Sequence, residues 1–177
     1  MREILFRGKK VKPSVFDKTE WVYGSLIDSG NHEQVAIYPW YGGSSTMSVR
    51  QLVYTRMEGV KPETVGQFTG LTDKNGKKIF EGDIVKQTFE KTVAIATADI
   101  WDWDEYADLY GEDVGVVVIL PSKGTCIKNP VIYREVNGEN TQAGEVAKMY
   151  KNICSGRCEV IGNIHDNPEL LGKNHDC

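Results

Sequence analysis

The sequence predicts a mainly β protein assembled as a small barrel or sandwich, and three observations carry that expectation. Short runs rich in Val, Ile, Tyr, Trp and Phe recur from end to end, the residue types that suit a pleated, half-buried surface. Glycines and other turn residues punctuate those runs at close intervals. Only Gly144 to Ile153 shows helical spacing, with Val146, Met149, Tyr150 and Ile153 on one face. Short strands with frequent turns favour a barrel or sandwich over a parallel α/β sheet.

Taken in order, Arg2 to Gly8 and Glu20 to Ile27 read as paired strands, joined by the polar interval Lys9 to Thr19 with its Pro13 and Asp17. A third strand is expected at Gln34 to Tyr38, a loop at Pro39 to Ser45, and a further strand at Ser48 to Met57, where Val49, Gln51, Val53 and Thr55 alternate. Pro62-Glu63-Thr64-Val65 reads as a helical turn, since Pro is tolerated where its missing N–H has no partner to lose. Residues 67–80 are expected to form a hairpin around Asp73-Lys74-Asn75-Gly76. An Asn-Gly pair between two short strands favours positive φ at both central positions. Glu81-Gly82-Asp83 then turns the chain into a new strand at Ile84 to Lys86. More strands are expected at Thr92 to Ile100, Gly115 to Leu120, Val131 to Val136 and Cys158 to Ile164. No internal repeat is visible.

Composition narrows the function classes. With 40% hydrophobic and 26% charged residues, the chain has the balance of a folded globular protein rather than of a disordered one. Its apolar runs, such as Val114 to Leu120, fall well short of the roughly 20 residues that cross a bilayer. The start, Met1 to Arg7, sets charges on both sides of a three-residue apolar stretch, unlike the continuous apolar segment of a secretory signal. Four scattered cysteines do not suggest a disulfide framework. A cytoplasmic protein without membrane contact is therefore expected. Residues 1–90 carry 13 Lys/Arg against 11 Asp/Glu, and residues 91–177 carry 8 against 14. Neither half has the basic excess that a broad nucleic-acid footprint requires.

Three separated stretches carry a resemblance. They are Arg2-Glu3-Ile4-Leu5-Phe6-Arg7-Gly8, the central run from Val65-Gly66-Gln67-Phe68-Thr69-Gly70-Leu71 through Glu81-Gly82-Asp83-Ile84-Val85, and the closing run from Glu159-Val160-Ile161-Gly162-Asn163 to Leu171. In order and placement the chain resembles the YopX family of phage and prophage proteins. The resemblance implies a mainly β fold holding an SH3-like small barrel, with additional N-terminal β-strands and at most one or two short helices. It implies no activity. The expected domains are an N-terminal β subdomain at 1–61, the barrel at 62–171 with an acidic aromatic insertion at 99–113, and a tail at 172–177. The segment near 99–113 and the stretch 121–157 depart from the shorter members. The motif glycines Gly66, Gly70, Gly76 and Gly82 fit tight turns, and Phe68, Leu71, Ile79, Phe80, Ile84 and Val85 fit a small core, so the shared pattern reads mainly as a folding pattern.

Few residues nominate themselves for chemistry. Asp73-Lys74-Asn75-Gly76 lacks the third ligand and the twelfth-position glutamate of a calcium loop. Cys154, Cys158, His165, His175 and Cys177 supply enough zinc donors by number. They lack the two close pairs bracketing a loop that a structural site shows, and no metal is expected. Cys126 reads as an incidental thiol. His32, His165 and His175 fall in no catalytic spacing, and no nucleophile elbow, phosphate loop or dinucleotide fingerprint is present. No cofactor or catalytic residue is assigned.

The compositional outlier is Asp99 to Asp113, with seven carboxylates, two Trp, two Tyr and no basic residue. Two readings stand: a solvated excursion between strands, or a contact surface in which Trp101, Trp103, Tyr106 and Tyr110 supply area and the carboxylates select a basic partner. The leading expectation is a non-enzymatic accessory protein of phage or prophage type that binds a host or phage macromolecule, protein rather than nucleic acid. One rival is a nucleic-acid-binding barrel using Lys74, Lys77, Lys78 and Lys86. Others are an enzyme of unrecognised type and a structural homo-oligomer.

Overall fold

A computed structural model describes residues 3–12, 20–30, 34–39, 57–94, 106–136, 139–145 and 149–171. The architecture is mainly β, and every strand pairing given for these residues is antiparallel. Helical structure among them is limited to 3₁₀ turns at Pro62–Thr64, Ser155–Arg157 and Pro168–Leu171. No helix among the described residues is long and apolar enough to cross a membrane. The chain divides into two compact units, Met1–Gly70 and Leu71–Cys177.

In the first unit β1 (Phe6–Lys9), β2 (Trp21–Asp28), β3 (Val35–Pro39) and β4 (Glu58–Val60) run in sequence order. The end of β4 returns to the end of β1: Lys10 bridges Val60, Val11 N–H donates to Gly59 O at 2.9 Å, and Lys61 N–H to Lys9 O at 2.9 Å. Val22, Ile37 and Val60 are buried on the inner face, with Phe6, Leu26, Val35 and Val65 packed around them. A Cβ at Gly24 would collide with the Tyr38 carbonyl, so the close approach of β2 and β3 needs glycine there. The turn at Pro62 forms as expected, and the Thr64 hydroxyl fixes it by donating to Lys61 O at 2.7 Å and accepting from Lys9 N–H at 2.9 Å. The expected strand at 48–57 lies outside the described residues except for Met57.

β5 (Gly66–Thr72) begins in the first unit and ends in the second, where β6 (Lys78–Phe80) follows the expected turn. The turn chemistry differs from the two-residue reading. Gly76 N–H donates to Asp73 O at 3.0 Å, Gly76 has φ +80°, and Asn75 is not among the residues with positive φ. The reason is Asp73. Its carboxylate accepts from Asn75 N–H at 2.8 Å and Lys77 N–H at 2.9 Å, leaving only glycine to take the left-handed position. The other carboxylate oxygen accepts from Val160 N–H at 3.1 Å, and Lys74 N–H donates to Cys158 O at 2.9 Å. Two sequence stretches more than eighty residues apart are thereby joined.

The rest of the second unit is a long meander of β7 (Asp83–Ala94), β8 (Tyr106–Leu120) and β9 (Gly124–Val136), with β12 (Cys158–Asn163) on the free side of β7. The far edge of β9 is covered twice, by β10 (Glu139–Glu145) and by β11 (Tyr150–Asn152). The helix expected at 144–153 is not formed. Gly144 and Glu145 end β10, and Tyr150–Asn152 pair with Lys128–Cys126; residues 146–148 lie outside the description. A ten-residue helix is marginal alone, whereas the β9 edge offers a ready ladder of backbone partners. Ile79, Val85, Val117, Ile127, Cys158 and Val160 make the core, with Leu71 and Ile153 against it. The turn into β7 is sealed by Asp83, whose buried carboxylate accepts from Phe80 N–H at 2.7 Å, while Gly82 bonds Val117 O and Ile164 N–H, each at 3.0 Å.

Beyond that core the inward positions become polar. Gln87 is buried and does the work of a backbone strand, its Oε1 accepting from Cys154 N–H at 2.6 Å and its Nε2 donating to Asn152 O at 3.3 Å. Asp113, fully buried, is paired through Oδ2 with Lys151, whose ammonium also lies 4.3 Å from the centre of the Phe89 ring. Phe89 in turn covers Gly111, where a Cβ would overlap its ring. A buried charge stripped of its partner is costly. Lys151→Met, which strands the buried Asp113 carboxylate, should therefore lower stability by about 3–5 kcal/mol, Asp113→Leu by less because Lys151 is one-third exposed, and the two changes together by less than the sum of the single effects. Urea unfolding of the four proteins checks this, and simple additivity would refute it.

Burial works to raise the Asp73 pKa, but the N–H donors of Val160, Lys77 and Asn75 and the Lys77 charge outweigh it and hold it below the ordinary 3.8. A depressed folded pKa contributes stability that is complete well above 3.8 and drains as pH falls through the folded value. Asp73→Asn should cost about 2 kcal/mol at pH 7, and the gap to wild type should narrow in urea titrations from pH 5 to pH 3. A gap constant across that window would contradict the assignment.

Candidate functional site

The segment expected as an insertion at 99–113 is in its second half a strand. Residues 106–113 form the start of β8 and are paired with β7 through Tyr106↔Ala94 to Asp113↔Gln87, and from Leu109 onward with β9. Alternation along a strand then sorts the segment. Asp113 turns to the buried side, as described above. Asp108, Tyr110 and Glu112 turn to the opposite face with Lys86, Thr88, Glu90 and Thr92 of β7, all of them exposed or partly exposed.

On that face Tyr110 is 47% exposed and lies directly across from Glu90. Its hydroxyl donates to the Glu90 carboxylate. The Thr92 hydroxyl donates to Asp108 Oδ1 at 2.9 Å, and Lys86 Nζ pairs with Glu112 Oε1 at 3.2 Å. Among the residues whose side chains are described, an exposed ring thus stands among three carboxylates, with one lysine at the border. The Glu90 charge, the Glu90 hydrogen bond and then the Asp108 charge push the Tyr110 pKa above its ordinary 10.0, because phenolate is disfavoured in a negative field and the donated proton is held.

Of the four aromatics nominated from sequence, Trp101 and Trp103 lie outside the described residues. Tyr106 opens β8, and Tyr110 occupies the face just described. Sequence reasoning missed Glu90, which joins the site only through the β7–β8 register. The alternation of Asp108, Tyr110 and Glu112 was available as a strand signal, masked by a composition that reads as loop. The basic set is partly neutralised: Lys74 pairs with Glu159 at 2.6 Å and Lys86 with Glu112, while Lys77 and Lys78 are exposed.

The cysteines separate by environment. Cys158 is in the core, where burial first, and then the charges of Asp73 and Asp83, raise its thiol to about 12. Cys154 is partly exposed. A hydrogen bond from the Arg157 side chain lowers its pKa, burial opposes this, and the Arg157 charge with the N–H groups of Gly156 and Arg157 adds to the lowering. Among the described residues no group of three or more His, Cys, Asp or Glu is gathered for a metal, and His175 and Cys177 lie outside them. His165 sits in a turn organised by Asn163, whose Oδ1 accepts from His165 N–H and Asp166 N–H at 3.0 Å each.

A family model described as YopX protein matches residues 15–172. No curated protein matches the chain. The matched span includes the β5–β6 hairpin, the Gly82-Asp83 turn and β12, whose contacts are structural in the geometry above.

The Tyr110 environment is open to direct measurement. In an absorbance titration, the difference between wild type and Tyr110→Phe should show a tyrosine ionising above pH 10. Glu90→Gln should bring that ionisation back toward 10, and no downward movement would remove Glu90 as the cause.

Proposed function

This chain belongs to the YopX family, and on that premise we propose that it is a phage- or prophage-type accessory protein that binds a basic protein of the host or phage rather than catalysing a reaction. The observation that carries this reading is the exposed Tyr110 ring among Glu90, Asp108 and Glu112 on the outer face of β7 and β8. An aromatic side chain offers contact area at small entropic cost, and surrounding carboxylates select the sign of the partner's charge. Tyr106 opens the same strand, and Trp101 and Trp103, which lie outside the described residues, are proposed from sequence as part of the same contact set. We read the strands around the hydrophobic core of the second unit as the SH3-like barrel that displays this face, and the protein as cytoplasmic. Pairing of Lys74 and Lys86 with carboxylates weighs against a phosphate-binding role for that set.

The test compares the full-length protein with a Glu90→Gln, Asp108→Asn, Glu112→Gln variant by affinity capture from bacterial lysate with and without phage infection. One basic protein retained by wild type, released by added salt and lost by the variant is the expected result. Identical captures by the two proteins, or recovery of nucleic acid alone, would overturn the proposal.

A further inference from the structure

We propose that the β7–β8 face selects arginine over lysine and takes a partner segment in extended conformation with arginines at alternate positions; this rests on the binding reading above and adds the identity and spacing of the recognised groups.

Tyr110 stands directly across from Glu90 on a strand paired along both edges, and with 47% of its surface exposed it offers an aromatic face to a partner. A guanidinium is planar and weakly hydrated. It stacks on such a face while its edge donors fork to a carboxylate, two interactions that a compact, strongly hydrated ammonium cannot make together. Carboxylates are the ring's neighbours on that face. Glu90 lies across the strand pair from Tyr110, and Asp108 and Glu112 flank it two residues away on the same face. Strand residues two apart are separated by about 7 Å, which is also the spacing of alternate side chains in any extended partner. Asp108, Tyr110 and Glu112 therefore repeat at the period of an extended segment. Neither flanking acid is closed to a newcomer. Asp108 accepts from Thr92 through Oδ1, and Glu112 is held by Lys86 in a half-exposed pair, a contact of the kind that exchanges readily.

The probes are two nonapeptides, Arg alternating with Ser and Lys alternating with Ser, titrated against the full chain by fluorescence anisotropy at fixed salt. The arginine peptide should bind about five- to tenfold more tightly. Tyr110→Leu should reduce that ratio to near one, whereas Tyr110→Phe, which keeps a ring in the same place, should preserve most of it and guards against a folding artefact. Equal binding of both peptides, lost together in the Glu90→Gln, Asp108→Asn, Glu112→Gln variant, would overturn the arginine preference and leave the basic-partner reading standing. A preference that survives in Tyr110→Leu would likewise overturn it. Binding of neither peptide would overturn both.

Discussion

The Asp73 carboxylate is the point on which the second unit depends. It closes the β5–β6 turn by taking the N–H groups of Asn75 and Lys77, and with its other oxygen takes Val160 N–H from β12. The order of the remaining parts follows. With β12 seated, its residues Cys158 to Asn163 pair with Gln87 to Asp83, through a bulge at Val160–Gly162. The position of β7 then sets the register of β8, which decides that Tyr110 meets Glu90. A hydrogen-bond acceptor in a hairpin turn thus reaches, through two strand registers, to the surface face. Asp73, Gly82 and Asp83, all within the matched span, satisfy backbone groups that would otherwise cost as much as lost hydrogen bonds.

A second constraint governs where the core stops. The inward positions of β7 and β8 are apolar at Val85 and Val117 and polar at Gln87 and Asp113. Gln87 spans the space that a further strand would fill, bonding Asn152 and Cys154, and Lys151 is held between Asp113 and Phe89. Such a polar cluster contributes less net stability than apolar packing of equal volume. Gln87 in it satisfies backbone groups that strand pairing leaves over, while one buried oxygen of Asp113 has no hydrogen-bond partner among the described residues. The acidic face lies where the strands run on past the apolar core, and its exposure is a consequence of strand length rather than of a loop.

Opposite faces of one short strand segment therefore do opposite things. Asp113 is an acid consumed by the fold, while Asp108 and Glu112, from the same run of sequence, are left to solvent with Tyr110 between them. Composition cannot distinguish the two kinds of carboxylate. The separation arises because successive side chains in a strand point to opposite sides, and because β9 and β7 flank β8 on both edges along this stretch.

Local propensity and turn chemistry were enough to specify the β character, the hairpin around Asp73 to Gly76, the turn at Pro62 and the strand after Gly82. Both act within a few residues. The sequence also carried the family, because the motif residues are those whose local geometry leaves few alternatives. It misread Gly144 to Ile153, where helical spacing yielded to the β9 edge. It showed no strand over Tyr106 to Asp113, because strand pairing for a polar, glycine-containing run is supplied by neighbours and not by its own propensity. The partnership of Glu90 with Tyr110 and the burial of Asp113 against Lys151 were decided only by the tertiary structure. Both depend on which residues stand opposite across separately folded strands, and register is a property of the pair of strands rather than of either sequence alone.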